Sequence, residues 1–189
     1  MPKDTNERLI DAAVELLDRG GPPAVTLREV GKLAGVSHNA PYRHFADKED
    51  LLAAVATREL RKQAASMSAA RKMRSTRLAL RTAVREYFDW ARIYPARFAL
   101  VFGSWSKPNS ELREAARYTL SLLVEIVRKG QDQGELPRAK PERLAALIHA
   151  VAHGSAALEF SSHSSGRSKM ASSPEVLLDD LLRYLSRPG

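Results

Sequence analysis

The amino-acid sequence predicts an all-α protein of about nine helices. Apolar residues recur at spacings of three and four along most of the 189 residues, which is the period of an amphipathic helix. Short stretches rich in glycine and proline separate these segments, and no stretch alternates like a half-buried strand. We therefore expect a helical headpiece at residues 1–50 and a helical bundle at residues 51–189.

Composition narrows the class of protein. The chain has no cysteine, which excludes disulfides and thiolate metal sites and fits a reducing cytoplasm. Its first residues lack the apolar run of a signal peptide, and no segment approaches the roughly 18 apolar residues of a membrane helix. The sequence thus predicts a cytoplasmic protein with no membrane partner.

The first predicted helix runs from about Asn6 to Arg19. Its core stripe consists of Leu9, Ala13, Leu16 and Leu17. The G-G-P-P-A-V segment at residues 20–25 is a breaker, because glycine is conformationally free and proline cannot donate a backbone hydrogen bond.

The second predicted helix starts at a capping box formed by Thr26 and Glu29. In such a box the hydroxyl accepts from an unpaired amide, and the carboxylate reaches back to the start of the helix. Gly35 stands where this helix must stop, since glycine tolerates the left-handed conformation that helix ends use.

The third predicted helix follows at once. Ser37 is placed to cap it, with Val36 and Pro41 as a hydrophobic staple. Two helices this close, with glycine in the turn, form a helix-turn-helix, whose second helix reads the DNA major groove. Proline at position 41 removes a backbone donor, so this helix is open to a late start or an unusual angle.

The first turn of the third helix carries His38, Asn39 and Ala40, at the position where recognition helices meet base edges. Asparagine can bond bidentately to adenine, and an alanine methyl can meet a thymine methyl. Side chains suited to phosphate contacts are Thr26, Arg28, Ser37, Tyr42, Arg43, His44 and Lys48. The alternative is an ordinary buried hairpin, in which so many polar groups would be costly.

The fourth predicted helix begins after Asp47, its N-cap, with Asp50 as an acidic partner three residues on. Lys48 lies in its first turn. Helix amides and a lysine directed at the DNA backbone form a phosphate clamp, while a solvent-exposed lysine is the alternative.

Charge is unevenly distributed along the chain, whose net charge is +8. Residues 1–50 hold 7 basic and 9 acidic residues, whereas residues 51–107 hold 12 basic and 3 acidic ones. The headpiece is therefore not basic as a whole. DNA binding would depend on cations on one face, and non-specific affinity should be modest.

The remaining helices follow from breakers and periodicity. After a loop ending near residue 77, we expect a helix closed by Pro95 and a short helix through Phe98 and Phe102. A long helix capped by Asn109 or Ser110 should run to about Lys129, and Pro141 should open the next helix. A low-complexity loop is expected at residues 161–173, followed by a last helix from Pro174 to Tyr184. A basic stripe consists of Arg74, Arg77, Arg81 and Arg85. We expect this stripe to be a solvated face rather than a phosphate contact.

Aromatic residues concentrate between Tyr87 and Tyr118. In a small helical domain they could line a cavity for an apolar or aromatic effector, although ordinary core packing is the alternative. The expected effector pocket comprises Phe88, Phe98, Phe102, Trp105, Tyr118, His149 and His153.

His149 and His153 lie four residues apart on one helical face, a spacing that can bind a metal. The glutamate of the metalloprotease pattern is missing beside His149, and only Glu159 offers a nearby carboxylate. We predict no metal at this pair. Hydrogen-bonded histidines near the core, or polar contacts with an effector, are the remaining interpretations.

The segment G-V-S-H-N-A-P-Y-R-H-F-A-D-K-E-D-L-L resembles the signature of TetR-type (TetR/AcrR) one-component transcriptional regulators. The matching positions are Gly35, Val36, Ser37, Tyr42, His44, Phe45, Lys48, Glu49, Leu51 and Leu52. Pro41 departs from the pattern, since many members carry Leu, Ile or Phe there. His153-Gly154 is also similar to a subfamily with a C-terminal Trp-His-Gly signature, although Ala152 replaces the tryptophan.

This resemblance implies a DNA-binding repressor that is released by a small-molecule effector, without enzymatic activity or a cofactor. It also implies a homodimer through the last two long helices. Small residues in the eighth helix and the face of Val176, Leu177, Leu181 and Leu185 would suit that interface. A dimer would bind a palindromic operator, because one recognition helix reads too few base pairs for specificity.

Three other classes stay open at this point. A metal-sensing regulator would use His149 and His153, and a protein-interaction module would use the hairpin for a protein partner. A helical enzyme would need a nucleophile–base set, a phosphate loop or paired catalytic carboxylates, which the sequence lacks.

Overall fold

The computed structural model describes residues 4–165 and 173–185, and within them it contains nine helices and no strand. The predicted all-α class is confirmed. The helices are α1 (Thr5–Ala24), α2 (Leu27–Leu33), α3 (Ala40–His44), α4 (Lys48–Arg71), α5 (Thr76–Ile93), α6 (Pro95–Val101), α7 (Ser110–Asp132), α8 (Pro141–Ser165) and α9 (Pro174–Leu185). None of the described helices combines the length and apolarity that crossing a membrane requires.

The chain divides into two compact units. The first unit groups Met1–Arg61 with Tyr94–Ala116, and the second groups Lys62–Ile93 with Arg117–Gly189. The predicted domains, 1–50 and 51–189, are a functional division and stay a prediction. By contacts, α6 and the first turns of α7 belong with the headpiece.

The core of the first unit contains the apolar stripe predicted for α1. Leu9, Ala13 and Leu17 are fully buried, while Leu16 is half-buried. Leu51 on α4 is also fully buried in this core. Each such leucine contributes about 1.5–3 kcal/mol to folding, so α1 and α4 form a firm base for α2 and α3.

α1 bends at the predicted breaker. Gly20 and Gly21 leave the helical conformation, and Gly21 has a φ of +65° that favours glycine. The regular part of the helix therefore ends near Arg19, as the sequence predicts, and residues 22–24 form a further turn.

Arg97 on α6 joins three helices of the first unit. Its guanidinium donates to both carboxylate oxygens of Asp18 on α1, at 2.9 and 2.5 Å, and lies 3.4 Å from the buried carboxylate of Glu59 on α4. The ring of Tyr94 covers the guanidinium at 3.9 Å. Burial disfavours the charge on Arg97, but Asp18 and Glu59 outweigh it and raise the pKa of the guanidinium.

In the second unit, α5 packs against α8 and α9, and α8 packs against α9. Buried residues of this packing are Leu80, Val84, Ile148, Leu178 and Leu182. The predicted basic stripe, of which Arg74 lies before α5, is not simply solvated, because Arg81 pairs with Asp179 and Arg85 pairs with Glu175 on α9. Half of this stripe therefore forms surface ion pairs with α9.

The low-complexity loop predicted at residues 161–173 is wrong at its start. α8 continues as a helix to Ser165. Serine has only a moderate cost in a helix, so a serine-rich composition does not by itself end one. The stretch at residues 166–172 lies outside the described residues.

Candidate nucleic-acid interface and adjoining cavity

The turn after α2 is a complete Schellman motif. The Gly35 amide donates to the Lys32 carbonyl, and the Val36 amide donates to the Gly31 carbonyl, each at 3.1 Å. Gly35 has a φ of +63°, which confirms the left-handed stop expected there. At the other end of α2, Thr26 Oγ1 accepts from the Glu29 amide at 3.1 Å, so the predicted N-cap is also confirmed.

Arg8 of α1 closes the same turn from outside, a contact that sequence reasoning missed. Its Nη2 donates to the carbonyl oxygens of Ala34 at 2.5 Å and Gly35 at 3.2 Å. The Ala34 carbonyl belongs to the negative end of α2, where a cation is favoured, and the Gly35 carbonyl follows it. Arg8 therefore fixes α1 to the turn that orients α3.

Pro41 packs on the bare backbone of Gly31. A Cβ added to Gly31 would lie 2.8 Å from Pro41 Cγ and 3.9 Å from Val36 Cγ2. The predicted pairing of Val36 with Pro41 therefore includes Gly31, whose missing side chain admits the proline ring. Both Gly31 and Pro41 are buried.

The recognition helix α3 starts later than its predicted cap. Ser37 does not cap it; instead the Ser37 carbonyl accepts from the Ala40 amide in a turn at 3.0 Å, and α3 spans only Ala40–His44. Pro41 occupies the second helical position, where its missing amide costs nothing because first-turn amides have no helical acceptor. His38 and Asn39 consequently precede the helix instead of forming its first turn.

The residues predicted to contact DNA lie on accessible surface. Thr26, Arg28, Ser37, His38, Asn39, Tyr42, Arg43 and His44 are exposed, while Ala40 and Lys48 are half-buried. The imidazole of His38 lies 5.9 Å from the ring of Tyr42, so the two aromatic side chains support each other. The division into base contacts and phosphate contacts stays a prediction.

The start of α4 confirms its predicted cap. Asp47 Oδ1 accepts from the Asp50 amide at 2.9 Å, and Asp50 Oδ2 accepts from the Ala46 amide at 3.2 Å. Three acidic residues thus surround Lys48. Asp47 and Glu49 also lie beside the Lys107 ammonium, which offsets part of their repulsion of a phosphate near Lys48.

The segment between α6 and α7 engages those two acids, and sequence reasoning missed it. Glu49 Oε1 accepts from the amides of Ser106 at 2.6 Å and Lys107 at 3.2 Å, and Glu49 Oε2 accepts from the Ser106 hydroxyl. The Lys107 ammonium donates to Asp47. The Ser106 hydroxyl lowers the pKa of Glu49, and the Lys107 ammonium lowers that of Asp47, so both stay ionised.

A cavity of about 650 Å³ lies beside this segment within the first unit. Its lining residues are Leu60, Val101, Phe102, Gly103, Trp105, Ser106, Lys107, Pro108, Asn109, Leu112, Arg113 and Ala116. Asn109 also caps α7, because its Oδ1 accepts from the Leu112 amide at 2.9 Å. Of the predicted effector pocket, this cavity includes Phe102 and Trp105.

The structure does not bring the whole predicted pocket into this cavity. Phe98 is buried, with its ring 5.1 Å from that of Phe102. Phe88, Tyr118, His149 and His153 belong to the second unit, where Tyr118 is 56% exposed. Aromatic proximity in sequence did not translate into one cluster, because α5 and α6 fall into different compact units.

In the second unit, the histidine pair adjoins Tyr87. The Tyr87 hydroxyl and His153 Nδ1 are hydrogen-bonded at 2.9 Å, and the His149 ring stands edge-on to Tyr87 at 6.1 Å. Burial raises the pKa of Tyr87; burial and then His153 lower that of His149. Within residues 4–165 and 173–185 no three histidine or acidic side chains group as a metal site would require.

Comparison with protein families gives two matches. The model described as "Bacterial regulatory proteins, tetR family" matches residues 9–55, and "Tetracyclin repressor-like, C-terminal domain" matches residues 80–185, more than half of the chain. The uncharacterized HTH-type transcriptional regulator TtgW of Pseudomonas putida is 43% identical over 53 residues, 28% of this chain and 40% of that protein. The match therefore spans less than half the length of this curated relative.

Solved structures share the fold over nearly the whole chain. A Rhodococcus sp. RHA1 protein of unknown function has a TM-score of 0.82 and 27% identity, with 98% of this chain and 97% of that chain covered. SmeT, the repressor of the Stenotrophomonas maltophilia multidrug efflux pump SmeDEF, has a TM-score of 0.73 and 22% identity over 99% and 93% of the two chains. SmeT has also been solved as a triclosan complex.

Proposed function

Because this chain belongs to the TetR family of bacterial regulatory proteins, we propose that it is a homodimeric repressor that binds a palindromic operator and is released by a small-molecule effector. Regulators of this family bind DNA and small-molecule effectors and are not enzymes. The proposed site of action is the cytoplasm, where bacterial DNA lies.

The observation that carries DNA binding is the arrangement around α3. A rigid Schellman turn, the contact of Gly31 with Pro41, and Arg8 together hold a short helix whose accessible side chains are polar. His38, Asn39 and Ala40 are the proposed base readers. The proposed phosphate contacts are Thr26, Arg28, Ser37, Tyr42, Arg43, His44 and Lys48. Thr26 suits both roles, since its oxygen caps α2 while its hydroxyl proton can reach a phosphate.

Exposed apolar side chains support the proposed dimer. On α8 and α9 these are Leu147, Leu158, Val176, Tyr184 and Leu185, which are 40–70% exposed. Leu177 and Leu181 on α9 are half-buried. A second copy packed along α8 and α9 would cover this surface, and two recognition helices related by a two-fold axis would then read a palindrome.

The effector proposal is supported by the cavity beside Phe102 and Trp105 and by the polar group of Tyr87, His149 and His153. The cavity offers apolar walls with a few polar atoms, which is the usual character of small-molecule sites, and the Tyr87 group offers polar atoms on buried and half-buried rings. The solved neighbour SmeT has been captured in a complex with triclosan.

Selection of bound duplexes from a random pool tests this function. We expect one palindromic sequence with half-sites about one helical turn, ~34 Å, or a multiple apart, bound by two copies of the chain. Mapping of bound sites on the chromosome would then identify the regulated genes. Recovery of no preferred duplex by a folded, dimeric protein would reject the proposal.

A further inference from the structure

The segment between α6 and α7 forms a small anion-binding nest. Its donors are the Ser106 amide, the Ser106 hydroxyl and the Lys107 amide, and all three converge on one carboxylate. Successive backbone amides directed at one point are a common anion site in proteins. The Lys107 ammonium adds positive charge beside them.

The present occupant of this nest is the carboxylate of Glu49. Glu49 lies in the first turn of α4, next to Lys48, the proposed phosphate contact. Its attachment therefore connects the start of α4 to the α6–α7 segment. Glu49 is an anion supplied by the protein itself, so any other carboxylate would have to compete with it.

The nest opens onto the cavity of the first unit. Ser106 and Lys107 line this cavity as well as the nest, and Leu60, Phe102 and Trp105 supply its apolar walls. A volume of about 650 Å³ is within the usual range for small-molecule sites. An apolar body would lie against the walls while an acidic group would reach the nest donors.

We propose that the cavity and nest together bind an apolar molecule carrying one carboxylate, which takes the place of the Glu49 carboxylate on Ser106 and Lys107. Displaced Glu49 stays near the start of α4, where helix amides still favour an anion. The start of α4 then loses the Glu49 part of its attachment to the α6–α7 segment and keeps the ion pair between Asp47 and Lys107. The effect on operator binding rests on the proposed function; the binding site itself does not.

Binding is measurable through Trp105, which lines the cavity, once the other tryptophan is removed by Trp90→Phe. The probes are decanoate and 4-phenylbutyrate, each compared with its neutral alcohol, 1-decanol and 4-phenyl-1-butanol. We expect both carboxylates to change Trp105 emission with saturation, and each alcohol to bind at least about tenfold more weakly because it leaves the nest donors poorly paired.

Glu49→Gln is the decisive variant. A neutral amide competes less well for the nest, so the carboxylates should bind about tenfold more tightly while alcohol binding stays unchanged. Glu114→Gln on α7 changes charge equally and should leave both affinities as they are. A purely structural Glu49 would give weaker or unchanged carboxylate binding, and either result overturns the proposal, as does equal binding of acid and alcohol.

Wild-type protein provides a test that needs no variant. Amide NMR signals of Ser106 and Lys107 should shift further, and at lower ligand concentration, with decanoate than with 1-decanol. Equal shifts at equal concentrations overturn the proposal even if Glu49→Gln fails to fold. In a separate measurement of operator binding, decanoate should weaken the affinity of the protein for its operator about 5–150-fold. An unchanged operator affinity overturns the proposed effect on regulation. Failure of the proposed function appears differently, as ligand-free protein that binds no operator.

Discussion

Gly31 and Pro41 are a matched pair: the proline ring of α3 occupies the space that a side chain on α2 would need. This contact sets how closely α2 and α3 approach each other. It also gives the proline, the one departure from the family signature noted in the sequence, a specific partner.

Gly31→Ala should lower the free energy of unfolding by about 1–3 kcal/mol, because the new methyl would overlap Pro41 Cγ. Urea unfolding measures the change. Gly154→Ala is the control, since a Cβ there meets nothing within 4 Å and alanine favours a helix. Adding Pro41→Ala to Gly31→Ala should recover part of the loss, and a double variant no more stable than Gly31→Ala would contradict the pairing.

Arg8→Met should weaken operator binding by leaving the Ala34 and Gly35 carbonyls without their charged donor, at a cost of about 1 kcal/mol or roughly fivefold. The salt dependence of binding should stay the same, because Arg8 positions the turn and does not neutralise a phosphate. Arg19→Met, on the same helix and paired only locally with Glu15, is the matched control. A salt slope reduced by about 1 would instead identify Arg8 as a phosphate contact.

Asn39→Ala should change the selected operator sequence and cost about 1–3 kcal/mol for a lost bidentate contact. Lys48→Ala should weaken all duplexes alike and reduce the salt slope by about 1. Lys140→Ala, on exposed surface before α8, is the control for charge. If duplex selection with Asn39→Ala returns the wild-type operator, the base-reading role of Asn39 is wrong.

His149 should make the protein less stable in mild acid. Burial, with His153, holds its folded pKa below the ordinary 6.5, so the unfolded chain takes up a proton more readily. The contribution of His149 is therefore fully present above pH 6.5 and is lost as pH falls below it. Urea midpoints at pH 7.5 and 5.5 should differ less in His149→Gln than in wild type, while exposed His44→Gln should keep the wild-type difference.

Arg97→Met should destabilise the first unit by about 3 kcal/mol, because it takes the cation away from the buried carboxylate of Glu59 as well as from Asp18. Arg92→Met, at an exposed position on α5, should change stability by less than about 0.5 kcal/mol. Thermal unfolding compares the two variants. Equal melting temperatures for Arg97→Met and Arg92→Met would show that Asp18 and Glu59 are satisfied without Arg97.

Local signals were readable from the sequence. The caps at Thr26, Asp47 and Asn109 and the left-handed Gly35 depend on residues within about one turn, so residue type and spacing decide them. Helical periodicity likewise determined the all-α class. The TetR-type signature in the headpiece was visible in the same residues, and the family matches confirm it.

Tertiary structure alone decided which distant groups meet. Arg8 reaches carbonyls 26 and 27 residues away, and Glu49 reaches amides 57 and 58 residues away. Such pairs have no local pattern, because they depend on how buried faces of separate helices pack and on where that packing leaves each polar side chain. For the same reason the packing of Pro41 on Gly31 was not readable from the sequence. The sequence by itself determined helices, caps and family; packing decided the geometry of the turn, the cavity and the nest beside it.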